Sequence, residues 1–136
     1  MNQAAAAVRK QSSTSFVPYE LADLTIISGM SVQNVVTLKL RLDGETITLQ
    51  GEGNGPVDAL CHALRGVVPS IDIRAYTVSA MAEGSDAVGR GNAVIKCGGL
   101  SYAAEAEDTN TDIAGAKAII AALNMFREHD VRVSRT

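Results

Sequence analysis

The spacing Gly51-x-Gly53-x-Gly55, immediately before Pro56, is where this sequence comes nearest to a ligand-binding motif. A dinucleotide fingerprint Gly-x-Gly-x-x-Gly begun at Gly51 needs glycine where Pro56 stands; begun at Gly53, it needs glycine where Asp58 stands. The strand ahead of it belongs to a hairpin rather than a β-α-β crossover, which argues against a Rossmann site. Simpler chemistry survives. Glycines permit close backbone approach, and a helix start offers free N–H groups and partial positive charge to a small anion such as a carboxylate. A tight turn alone would use the same glycines.

Asp108-x-Asn110-x-Asp112 has the opening of an EF-hand loop, but Ile113 stands at the glycine position and Ile119 at that of the bidentate Glu. These residues read better as caps and first-turn acids of a helix. His62 and His129 are far apart in sequence, and His62 beside Cys61 lacks a third ligand-like neighbour for zinc. No nucleophile elbow, Cys/His pair with an orienting acid, or carboxylate pair of split acidity is visible, so no catalytic residue is assigned. Tyr76 and Ala80, followed by the small-residue segment from Glu83 to Gly91, have the makings of a compact apolar pocket wall. Ordinary strand packing beside a surface loop explains them equally well.

The elements that must position these residues come in two similar runs. Leu21 to Ser28 reads as a strand. Val36, Leu38, Leu40 and Leu42 alternate with polar residues, Asp43-Gly44 signals a hairpin, and Ile47 and Leu49 continue on the return strand. The turn from Gly51 to Gly55 leads into Pro56, suited to a first helical position. Val57, Leu60, Cys61, Leu64 and Val68 then share one helical face, and Gly66 and Pro69 end it.

The second run repeats this plan. A strand leads from Ile71 toward Met81, and Glu83 to Gly91 reads as a charged, glycine-rich loop expected to be mobile or ligand-gated. Ala93, Ile95 and Cys97 alternate, Gly98-Gly99 turns, and Leu100 to Ala106 returns. Asn110 or Thr111 caps a last helix with Ile113, Ala116, Ile120 and Leu123 as its core stripe, and Arg127 to Asp130 as a polar, exposed tail. Placing Asn54 on Asn110 pairs Val57 with Ile113 and Leu64 with Ile120. The expected fold class is α+β: two pseudo-symmetric β-β-β-α units, antiparallel sheets with helices packed on one face. Such domains tend to hold ligands where their halves meet.

With 136 residues, the chain makes one domain with a real core. Residues 1–15 read as a flexible linker or terminus and 16–136 as the folded domain. Aromatics are 4% with no Trp, net charge is −3, and no Lys/Arg cluster appears, which argues against nucleic acid and anionic membranes as partners. No apolar run reaches the roughly 20 residues of a membrane span, and the start has no signal-peptide pattern. Cys61 and Cys97 read as reduced and structural. The expected localisation is cytoplasmic.

Three segments together resemble the C-terminal regulatory domain of 2-isopropylmalate synthase and its relative citramalate synthase. Gly53-Asn54-Gly55-Pro56-Val57-Asp58-Ala59 looks like the family's turn and helix start. Tyr76 to Met81, with the loop from Gly84 to Gly89, looks like its strand and Gly-x-Asp-Ala loop; Thr111-Asp112-Ile113 through Asn124 looks like its final helix. The resemblance spans about Tyr19 to Phe126 and implies a domain that binds an end-product amino acid, L-leucine or, in citramalate synthases, L-isoleucine. Such a domain feedback-inhibits a distant acyl-CoA condensing barrel and pairs as a homodimer with the ligand near the dimer interface.

By that resemblance Gly53, Asn54, Gly55, Val57 and Asp58 line the ligand's turn and helix start. Tyr76 and Ala80 wall the apolar part, and Ala87 and Gly89 belong to the covering loop. Asp58, where the family often has a small apolar residue, meets the ligand's ammonium group or points to solvent. No cofactor is expected in this domain, and the barrel, which needs roughly 250 residues, is not in this chain. A purely structural dimerisation module is the alternative of a different class; a small stand-alone enzyme is the third.

Overall fold

The computed structural model describes residues 16–30, 32–80 and 88–134. The chain runs β1 (Glu20–Gly29), β2 (Val32–Leu42), β3 (Glu45–Gly53), α1 (Pro56–Leu64), β4 (Asp72–Ala80), β5 (Gly89–Cys97), β6 (Leu100–Asp108) and α2 (Thr111–Ser134). Two antiparallel three-stranded sheets result, ordered β1-β2-β3 and β4-β5-β6. This is the two-unit α+β architecture that the alternation and turn signals predict. Asp43 and Gly44 at one hairpin, and Gly98 and Gly99 at the other, all take positive φ, the geometry whose twist matches the flanking strands.

The duplication is more regular than the sequence superposition implied, and it is shifted by one residue. One constant offset places Asp43 on Gly98, Glu45 on Leu100, Gly53 on Asp108 and Pro56 on Thr111. Asn110 therefore falls on Gly55, not on Asn54, and the buried helix residues that correspond are Ala59 with Ala114 and Leu64 with Ile119. Matching two asparagines misled because only one of them caps. Asn110 Oδ1 accepts the Ile113 amide at 3.1 Å, whereas Gly55, at the cap of α1, has no side chain to offer. One irregularity repeats: each edge strand shifts register near its start, between Leu21 and Asp23 in β1 and between Ile73 and Ala75 in β4, while β1 alone shifts again between Ile27 and Gly29.

Several boundaries differ from the sequence expectation. Gly51 and Gly53 belong to β3, and Gly89 to Gly91 belong to β5 rather than to a loop. At Gly91 an added Cβ would stand 2.5 Å from the Ala114 carbonyl oxygen, and at Gly51 it would overlap that of Ala59, so these glycines let each helix press onto its sheet. Their local pattern reads as turn, but helix–sheet proximity is what requires them. Val68 is buried beyond the end of α1, in a turn whose Val67 and Val68 amides donate to the Leu64 carbonyl. Residues 1–15 and the part of the glycine-rich loop from Glu83 to Ala87 lie outside the described residues.

The core is one cluster shared by both units. Val36, Leu38 and Leu40 of β2, Ile95 and Cys97 of β5, Leu64 of α1 and Ile119 and Leu123 of α2 are essentially without solvent contact. Each such aliphatic side chain contributes about 1.5–3 kcal/mol on burial. Helix α1 lies on β2 and β3 and α2 on β5, β6 and β4, while the units also meet across their edge strands: β1 touches α2, and β4 touches α1. Both cysteines are free and buried.

Of the polar tail of α2, His129 and Asp130 are exposed as expected, while Arg127 and Glu128 are half-buried. Asn124 clamps the chain ahead of β1, accepting the Tyr19 amide on Oδ1 and donating from Nδ2 to the Tyr19 carbonyl, each at 2.9 Å. Arg127 donates to the Val17 carbonyl at 2.9 Å and lies 4.1 Å over the Tyr19 ring. Replacing Asn124 with Ala strands both backbone groups and is expected to cost about 1–3 kcal/mol in urea unfolding. Gly91→Ala is expected to lower stability by about 1–3 kcal/mol, through forced separation of α2 from β5.

Candidate functional site

The turn into α1 is held by its own polar groups. Asn34 Nδ2 donates to the Asn54 carbonyl at 3.1 Å, tying the turn to β2, and the Asn54 amide donates to Asp58 Oδ2 at 3.0 Å. His62 Nδ1 lies 2.5 Å from the Glu52 carbonyl oxygen, which fixes the proton on that nitrogen, and His62 Nε2 stands 3.6 Å from Asp58 Oδ1. Asp58 is thereby folded back onto the turn. Gly53 is buried; a Cβ there would meet both the Ala59 amide nitrogen and Asp58 Oδ2 at 2.6 Å. No side chain caps α1, and Pro56 brings no amide, so the Val57 and Asp58 N–H groups head the helix without a side-chain acceptor.

The second helix start has the side-chain cap that the first lacks. Asn110 caps it, and Asp108 accepts from Lys117 Nζ at 2.8 Å and from the Asn110 amide at 3.0 Å. The Lys117 hydrogen bond, and secondarily the Asn110 amide, hold the Asp108 carboxyl below its ordinary value. Asp112 follows in the first turn.

Between the two helix starts lies an apolar cavity of about 140 Å³. Leu24 and Ile26 of β1, Val57 and Leu60 of α1, Tyr76 and Val78 of β4, and Asp112 and Ala116 of α2 line it over Val36 and Pro56. It sits where the halves meet, because its walls are equivalent residues. Leu24 opposes Leu38 as Tyr76 opposes Ala93, and Ile26 opposes Val36 as Val78 opposes Gly91. Val57 and Asp112 likewise occupy the same place in their helices. The Tyr76 ring rests on Gly115, where an added Cβ would collide with the phenol. Burial, and then the nearby Asp112 carboxylate, push the Tyr76 hydroxyl pKa up, so it stays a neutral donor. Broader recesses of about 340 and 390 Å³ lie on the β4-β5-β6 sheet and beside the Tyr19 clamp, and neither joins the two helix starts.

Of the residues assigned from sequence, the structure brings Val57 and Tyr76 together on the cavity. Gly53, Asn54, Gly55 and Asp58 form the adjoining turn without lining it. Ala80 continues the strand face of Tyr76 and Val78 but is exposed beyond the lining, and Gly89 packs on Thr111 at the start of α2. Ala87 lies outside the described residues. Sequence reasoning missed Leu24, Ile26, Val78 and Asp112. The alternation of Leu24 with Ile26, repeated by Tyr76 with Val78, was the available signal.

A depressed carboxyl contributes stability that is complete above its unfolded value near 3.8 and is lost as pH falls through the lower folded value. Thermal melting of the wild-type chain is therefore expected to fall below about pH 4, and Asp108→Asn to show a lower plateau with a shallower acid limb. Gly115→Ala is expected to displace the Tyr76 ring from the cavity wall, visible as a changed tyrosine fluorescence with helical content retained.

A family profile described as the LeuA allosteric (dimerisation) domain matches residues 2–127. The chain is 35% identical over 129 residues to 2-isopropylmalate synthase of Methylorubrum populi, covering 94% of this chain and 25% of that protein. It is 37% identical over 116 residues to the 2-isopropylmalate synthase of Rhodopseudomonas palustris strain BisA53, covering 82% of this chain and 22% of the relative. The Bradyrhizobium sp. strain ORS 278 enzyme of the same name is 38% identical over 116 residues, with the same coverages of 82% and 22%. The chain thus spans about a quarter of the length of the curated relatives it matches. On the match to nearly its whole length, and on the identity to these synthases, the chain belongs to the LeuA allosteric (dimerisation) domain family.

Proposed function

We propose that this domain binds the end-product branched-chain amino acid, leucine, and feedback-inhibits a 2-isopropylmalate synthase in leucine biosynthesis. The observation that carries this reading is the partly open apolar cavity at the junction of the two units, beside a helix start whose amides lack a side-chain cap. A cavity of roughly 150 Å³ with aliphatic walls takes a benzene-sized guest, so one of about 140 Å³ suits a four-carbon branched tail. The Val57 and Asp58 amides, at the positive end of α1, suit the carboxylate. Leucine and isoleucine differ only in where the tail branches, so wall shape must discriminate them, within the few kcal/mol such pockets command.

A ligand in this cavity touches β1, α1, β4 and α2 at once. It therefore favours one arrangement of the two units over others, and that differential affinity is what a feedback effector needs. In this reading the chain acts as a homodimer coupled to a catalytic barrel domain, which performs the condensation.

Calorimetric titration with L-leucine, L-isoleucine and D-leucine tests the proposal. Saturable binding of L-leucine alone is expected, with thermal stability raised by about 2.7 kcal/mol at a hundredfold excess over Kd. Val57→Trp, which fills the cavity, is expected to abolish binding while the fold survives. Saturation by isoleucine instead reassigns the domain to a citramalate synthase, and no binding from a folded dimer leaves a structural dimerisation module.

A further inference from the structure

Just ahead of its start, each edge strand is gripped by the other unit's helix, and the two grips are equivalent. With Leu24 superposed on Tyr76, Tyr19 falls on Ile71. The Ile71 carbonyl accepts Arg65 Nε, at the end of α1, at 3.2 Å. Tyr19 is held through both its backbone groups by Asn124 of α2. Arg127 reinforces that grip, since its Nη1 donates to Asn124 Oδ1 at 3.2 Å as well as to the Val17 carbonyl. Its guanidinium also lies over the Tyr19 and Phe16 rings. The chain itself ties α1 to β4, through residues 65–71. No such connection joins α2 to β1, which stand at opposite ends of the fold's chain order, so there the side chains act alone. Of the two grips, this is the one that can open without unravelling a connection.

We infer that the grip of Asn124 and Arg127 on Tyr19 is a coupling latch, closed in the arrangement of units that a ligand of the cavity prefers, which carries that preference to the chain entering at Phe16. The inference rests on the proposed function and deepens it by naming how that site is coupled. The two elements that the latch joins are two of those that line the cavity. β1 runs from just beyond Tyr19 to Leu24 and Ile26, and α2 runs from Asn124 back to Ala116. Ala116 and Asn124 are roughly 12 Å apart along the helix axis. A ligand and the latch thus fix one relative position, that of β1 against α2, from two separate points. Two constraints on one equilibrium are linked, so whatever favours one favours the other by the same factor. Tyr19, Asn124 and Arg127 are only half-buried, and the recess of about 390 Å³ beside Tyr19 and Asn124 gives the strand's entry room to swing. A catalytic part joined ahead of Phe16 is coupled to the cavity through this entry.

Asn124 also stabilises the fold, so the test must separate a latch from a strut. Wild type, Asn124→Ala and Arg127→Gln chains are titrated with L-leucine by calorimetry, at a temperature where circular dichroism shows each to be folded. A latch is expected to weaken leucine about 5- to 50-fold in Asn124→Ala, and about 3- to 10-fold in Arg127→Gln, which loses only the reinforcement. A strut lowers the melting temperature and leaves the affinity of the folded chain unchanged. The reciprocal effect is read in the wild-type chain by hydrogen exchange of the Tyr19 amide, followed by NMR. Saturating leucine is expected to slow that exchange by a factor comparable to the affinity lost in Asn124→Ala. If Asn124→Ala does not fold, Arg127→Gln and the wild-type exchange rate decide. Leucine affinity unchanged in the folded variants, or a Tyr19 exchange rate indifferent to leucine, overturns the inference. If the wild-type chain binds no leucine, the proposed function itself fails and takes this inference with it.

Discussion

The fold depends on the inability of either half to cover its own sheet. Helix α1 has nine residues, too few to shield three strands, and α2 lies on β5 and β6 more than on its own edge strand. Each edge strand reaches the other unit's helix, β1 against α2 and β4 against α1 as well as its own α2. Burial of aliphatic surface drives that exchange, and it joins two weak halves into one core. The cavity is its by-product, because four elements converging around a local dyad leave a gap where both helices begin. Glycines at Gly51 and Gly91 set how deep the helices sit, and so how large the gap can be.

A symmetric frame does not require a symmetric site. At the first helix start Gly55 withholds a cap, and at the second Asn110 supplies one; Val57 faces the cavity from one helix and Asp112 from the other. The backbone geometry is the same, so the polarity difference comes from a few side chains. This is an economical way for a duplicated unit to acquire a directional site. Tyr76 deepens the asymmetry, since its ring can lie flat only because position 115 is glycine. The membership in the LeuA allosteric (dimerisation) domain family fits a frame of this kind, in which two halves share one small-molecule-sized cavity.

The strands and helices were legible because their signals are local. Alternation in β2 and β5, Asp43-Gly44, Gly98-Gly99 and Pro56 each act within a few residues, and each element formed where they pointed. Gly51, Gly53, Gly89 and Gly91 misled for the opposite reason. In sequence they look like turn residues, yet they are strand residues under a helix, and their cause is the helix backbone laid on them, Ala59 on Gly51 and Gly53, Thr111 on Gly89 and Ala114 on Gly91. Within the polar tail of α2, Arg127 misled likewise, because it answers to Val17 and Tyr19 at the other end of the chain.

By itself, then, the sequence determined the two-unit plan, the antiparallel hairpins, the helix starts and the resemblance that fixes the family, all from short-range pattern. Tertiary structure decided which residues share a cavity. Leu24 and Tyr76 line one cavity because β1 reaches the other unit's helix α2, on which β4 also packs, and Asp112 rather than Asp58 lines the cavity because Asp58 is bound within its own turn. Side-chain direction within a turn and contact across a dyad depend on packing between distant segments, which no local pattern encodes.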